Sequence, residues 1–117
     1  MAALLSVRHH PAGFLEGRVP PGSGRHGEII ASFLQSDIQG DLATAQALLA
    51  EVAAAERGEP PQPGGAGNAF SIAIAPGGAV IRNAVIVGAV AEHYSLDELR
   101  TALETWIAAI ERVRDSP

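Results

Sequence analysis

The groups in this chain that can do chemistry are four histidines, thirteen acids and scattered serines. Glu92-His93-Tyr94 sets a carboxylate, an imidazole and a phenol side by side, the raw material of a general acid–base pair. Sequence neighbours diverge in direction, however, so these three do not converge on one reacting atom. His9-His10 has the residue type of a metal ligand pair. Adjacent residues on an extended chain face opposite sides, and no further ligand cluster stands nearby, so no metal site is assigned. Gly22-Ser23-Gly24-Arg25-His26-Gly27 matches the glycine pattern that cradles a pyrophosphate. That pattern works only where a parallel strand runs directly into a helix. Here Pro20-Pro21 precede it, and prolines cannot donate in a strand ladder, so 20–27 is expected to be a flexible loop. Cysteine is absent, which removes disulfides, thiolate metal sites and a cysteine nucleophile. Ser71 and Ser95 have structural explanations, in a strand and at a helix cap. No catalytic residue and no cofactor follow from these types and spacings, and the chain is expected not to be an enzyme.

The elements around these residues are clearer than their chemistry. Ser95-Leu96-Asp97-Glu98 is a capping box, serine and glutamate each satisfying a backbone amide of the first turn. Behind it Leu96, Leu99, Leu103, Trp106, Ile107, Ile110 and Val113 recur at three and four residues, so a helix is expected over 96–113. A second helix is expected over 41–57, with Leu42, Ala45, Leu48, Leu49, Val52 and Ala53 on one stripe, Asp41 at its positive end and Gly58 as its stop. Between them lies a hairpin, 68–75 and 79–87, turning at Pro76-Gly77-Gly78. Phe70, Ile72 and Ile74 alternate with Ser71, Ala73 and Ala75, the pattern of a strand with one buried face. The run 84–91 is apolar on both sides, which calls for full burial or an interface, and burial is the favoured reading.

Upstream, Glu28 opens a helical stretch carrying Ile29 or Ile30, Phe33 and Leu34. Ser36-Asp37-Ile38-Gln39 is a further capping-box pattern, so one helix is expected to end near Gln35 and another to begin at Asp37. Residues 2–7 and 14–19 are candidate strands around a His9-to-Gly13 turn. The whole reads as one α+β domain over 1–117, with residues 1–27 partly flexible. An antiparallel sheet is centred on the 68–75/79–87 hairpin, and helices 41–57 and 96–113 pack on one face. The expected core is Phe70, Ile72, Ile74, Leu99, Leu103, Trp106 and Ile110.

Charge narrows the partners. The net charge is -5, with three arginines against one acid in residues 1–27 and twelve acids against five arginines thereafter. An acidic body disfavours nucleic acid, whose phosphates need clustered cations. It is compatible with a basic protein partner or with plain solubility. No run is long and apolar enough for a membrane span, and the N-terminus lacks the form of a signal peptide, so a cytoplasmic protein without membrane association is expected.

Three segments together resemble a known family. "LLAEVAAAERGE", "GNAFSIAIAPGGAVIRNA" and "YSLDELRTALETWIAAI" are similar to the small bacterial immunity proteins of contact-dependent growth inhibition systems. The pattern falls on Gly67, Asn68, Ile81, Asn83, Ser95, Leu96, Glu98, Leu99, Ala102, Leu103 and Trp106, and "FLQSDIQ" from Phe33 to Gln39 is similar too. Where the family has an acidic polar segment before the last helix, this chain has 85–91 and a single acid, Glu92. The resemblance implies a cytoplasmic protein that binds and occludes a cognate toxin domain, commonly a nuclease, without chemistry of its own. Asp37, Asp41 and Glu92, with Tyr94 near the rim, are then the candidate partner-binding residues. The alternative is a homo-oligomeric structural or regulatory domain, such as a homodimer, associating through the apolar 84–91 strand.

Overall fold

The computed structural model describes residues 5–60, 65–66 and 69–114. Gly67 and Asn68, the expected start of the central strand, lie outside them, as do residues 2–4 of the first candidate strand. The architecture is α+β, with two antiparallel sheets among the described residues. Strands β1 (Ser6–His9) and β2 (Leu15–Arg18) form a hairpin of their own. Helix α1 (Gly24–Phe33) runs into a single π-helical turn, Leu34–Ile38, and helix α2 (Leu42–Glu56) follows. The larger sheet has the order β3-β4-β5-β6, from β3 (Gly65–Ala66), β4 (Phe70–Ala75), β5 (Gly78–Asn83) and β6 (Glu92–Tyr94). Helix α3 (Leu96–Arg114) closes the chain. No described helix is long and apolar enough to cross a membrane.

The central hairpin turns on Pro76-Gly77 and pairs Ala75 with Gly78 and Phe70 with Asn83. Gly78 has φ +138°, and a β-carbon there would lie 2.8 Å from the Tyr94 carbonyl oxygen, so β6 can approach β5 only because this residue is glycine. One face of the sheet carries Phe70, Ile72, Ile74, Ala79 and Ile81, all buried. Against that sheet pack α2 on β4, α1 and α3 on β5, and α2 and α3 on each other. From α3 come Leu99, Leu103, Trp106 and Ile110, also buried. Trp106 sits at the centre, fully buried, with its Nε1 donating to the Gln39 carbonyl oxygen at 2.7 Å. Ser95 and Glu98 form the reciprocal cap of α3: the Glu98 amide donates to Ser95 Oγ at 3.0 Å and the Ser95 amide to Glu98 Oε1 at 2.9 Å.

Two expectations need correction. Residues 24–27 are helical, so the expected flexible loop ends at Ser23. Gly24 takes φ +63° at the helix start, and Gly27 packs too tightly against Ser23 and Val19 to admit a side chain. No helix begins at Asp37: the chain there is the π turn, which ends at Gln39 in a left-handed conformation, φ +54°. Ser36 instead donates back to the Ser32 carbonyl at 2.8 Å, and Asp41 caps α2. The candidate N-terminal strands do pair, as a hairpin of their own packed on α3 and the π turn; the sequence leaves open whether they extend the main sheet, and they do not.

Candidate functional site

β5 stops at Asn83 for a local reason. Its side-chain oxygen accepts the amides of Val85, at 2.9 Å, and Ile86, at 3.0 Å, and this turn outcompetes the strand ladder. The Ala84 amide still reaches Ala69 at 2.7 Å, so the departure from the sheet is abrupt. Ala89 then donates to the Ile86 carbonyl at 3.2 Å, and Gly88, at φ +77°, folds the chain back toward β6. The strand expected to run to residue 87 is therefore four residues shorter at that end. Burial of 84–91 is overturned with it: Val85, Ile86, Val87 and Val90 are 69%, 61%, 100% and 67% exposed. The result is an apolar loop with its own hydrogen bonds, standing clear of the core.

An ionic cluster holds the foot of this loop. His26, in the first turn of α1, places Nδ1 2.8 Å from Glu92 Oε2 and Nε2 2.9 Å from Glu98 Oε2. Arg25 Nε lies 3.3 Å from Glu92 Oε1, and its guanidinium also donates to the Val90 carbonyl. The Tyr94 hydroxyl donates to the His26 carbonyl at 2.5 Å, and the two rings are 4.3 Å apart. An imidazole with a carboxylate at each nitrogen donates from both, which is the imidazolium form. Partial burial pulls the His26 pKa down, but the hydrogen bonds and charges of Glu98 and Glu92 outweigh it and raise the value above its ordinary 6.5. For Glu98, burial pushes upward and is outweighed by the Ser95 amide and by His26, so its carboxyl sits below its ordinary value.

This cluster is committed to structure. Both ring nitrogens are engaged by carboxylates, and Glu98 is shared with the helix cap. The ring nitrogens point opposite ways, so the two carboxylates and the histidine cannot converge on one ion. Among the described residues no group of three or more His, Asp or Glu is placed to hold a metal.

The four candidate partner-binding residues are not brought together. Asp37 accepts the amides of Ala69 and Phe70, both at 3.0 Å, and so fixes the entry of β4. Asp41 caps α2, and the Thr44 hydroxyl and amide hold its carboxyl below the ordinary range. Glu92 is the anchor of the ionic cluster. Tyr94 is buried rather than at a rim, and burial followed by the charge of Glu92 pushes its pKa well up. Only Glu92 lies beside the exposed loop. Arg25 and His26 were masked in the sequence by the surrounding glycines. The signal was there: His26 precedes Ile29, Ile30 and Phe33 by three, four and seven residues, one helical face.

No protein-family model matches the chain, and neither a curated protein nor a solved structure does.

Proposed function

We propose that this chain is a non-catalytic binding module that grips a partner protein through the 84–91 loop and acts by covering the partner's surface. The observation that carries this is the loop itself, four exposed valine and isoleucine side chains held in shape by Asn83 below and by Arg25 at Val90. Apolar side chains grouped on a solvent-facing loop mark an interaction site, and a loop already ordered loses less entropy on binding. The cluster at its foot supports binding over catalysis, because its charged groups are spent on one another.

The resemblance to immunity proteins suggests the kind of partner, a toxin domain, with nucleases the commonest class. A net charge of -5 suits such a partner, since a nuclease surface built for phosphates is basic and would be steered toward an acidic body. A cytoplasmic location belongs to the same proposal. The second reading is a homodimer, favoured by the largely apolar character of the loop, which contains no acid between Ala84 and Ala91.

Affinity capture with the intact chain from its native host tests the proposal. Recovery of one stoichiometric protein whose activity is abolished by an equimolar amount of the chain supports it. Recovery of no such protein, together with a stable dimer across a wide concentration range, replaces it with the second reading.

A further inference from the structure

The large apolar side chains left exposed among the described residues fall in two places. Val85, Ile86, Val87 and Val90 belong to the loop; Phe14 and Val113 both line a separate cleft of about 630 Å³. The cleft lies where the β1–β2 turn, the π turn and the last turn of α3 meet, over the buried side chains of Leu15 and Ile110. Its volume is in the range of sites that take small organic molecules.

The wall of the cleft is also where the backbone is least ordinary. The π turn ends beside it, and π turns recur at functional sites. Gln39, with φ +54° and ψ -130°, is the non-glycine residue in a positive-φ conformation among the described residues. Such a conformation persists only where the surroundings impose it. Here Trp106 does so, by holding the Gln39 carbonyl at 2.7 Å.

The polar groups point to a ligand class. No aspartate or glutamate among the described residues lines the cleft, in a chain of net charge -5. Gln35 Oε1 accepts the Gly17 amide at 3.1 Å, which leaves the Gln35 amino group as a donor. Arg114 and His9 add donors, while the Gln39 amino group is spent on the Ser36 carbonyl at 2.7 Å and leaves one acceptor. Donors on His9, Gln35 and Arg114 beside the apolar side chains of Phe14, Ile110 and Val113 match an amphipathic anion.

We infer that this cleft binds a small carboxylate with an aliphatic or aromatic body. Arg114 pairs with the carboxylate, Gln35 donates a second hydrogen bond, and Phe14 and Val113 cover the body. The 84–91 loop takes no part, so this site stands or falls separately from the partner reading.

Titration of the isotope-labelled full chain with octanoate and 4-phenylbutanoate, followed by amide NMR shifts, tests it. Octylammonium and octanol serve as controls of the same body without the anion. The expected result is saturable shifts at Phe14, Gln35, Gly40 and Val113 with a carboxylate probe. Removing the guanidinium in Arg114→Gln should weaken that binding by about tenfold or more, with the amide spectrum otherwise unchanged. The absence of saturable shifts with either carboxylate, an equal response to octylammonium, or unchanged affinity in Arg114→Gln overturns it. Shifts at the same residues on dilution alone also overturn it, because a second copy of the chain would then be the occupant.

Discussion

His26 Nε2 lies 2.9 Å from Glu98 Oε2, and the other oxygen of that carboxylate holds the Ser95 amide at 2.9 Å. One glutamate therefore both caps α3 and ties its first turn to the first turn of α1. Through Glu92 the same imidazole is tied to β6, where the exposed loop rejoins the sheet.

That linkage makes stability depend on pH in a defined window. The raised His26 pKa contributes stability that is complete below about 6.5, its ordinary value, and is lost as pH rises through the higher folded value. The lowered Glu98 pKa contributes above about 4.5 and is lost as pH falls through its lower folded value. Both are present between these limits. Because the groups are partly exposed, the loss on deprotonating His26 is expected to be about 0.5–1 kcal/mol. Urea unfolding at about pH 5.5 and pH 8.5 should show it in the native chain and not in His26→Gln. Equal pH slopes in the two proteins would mean that the His26 contacts with Glu92 and Glu98 do not stabilise the fold.

Trp106 has two jobs, filling the core and restraining Gln39. Trp106→Ala should cost about 3–5 kcal/mol from lost packing. Trp106→Phe keeps much of the apolar volume but orphans the Gln39 carbonyl, so a cost of about 1–3 kcal/mol is expected. Chemical denaturation measures both. A loss under about 1 kcal/mol for the alanine variant would mean that α3 does not bury this face.

Asp37 separates structure from binding. Its carboxylate accepts two backbone amides at the entry of β4, so Asp37→Ala should cost about 1–3 kcal/mol and speed hydrogen exchange at Ala69 and Phe70. Partner affinity, measured below the unfolding transition, should be unchanged. Weaker binding by a folded Asp37→Ala protein would restore this acid to the interface.

Much of the fold was legible in the residues and little of the site was. The α3 stripe, its Ser95–Glu98 box and the alternation of Phe70, Ile72 and Ile74 each have one physical solution, and the structure has those elements. Residues 84–91 did not, because apolar composition alone does not distinguish a buried strand from an exposed loop. The deciding interaction was the Asn83 side chain taking two amides, a local competition that periodicity does not register. Arg25 and His26 were hidden for the opposite reason. Glycine and proline around them signal a loop, whereas in the fold Gly24, at φ +63°, opens α1 and Gly27 packs against Val19 in its first turn. Asp37 reads in the sequence as an acid open to a partner, while in the fold it accepts amides 32 and 33 residues further along the chain.

Calorimetric titration of the captured partner with two forms of the chain decides whether the apolar loop is the gripping surface. Val87 is fully exposed, so Val87→Asp should leave folding untouched, which urea unfolding would verify. This single charge should weaken partner binding by about a hundredfold, as expected when a central apolar anchor is replaced by a desolvated carboxylate. Equal affinity of the two forms would contradict it and place the binding surface elsewhere on the protein.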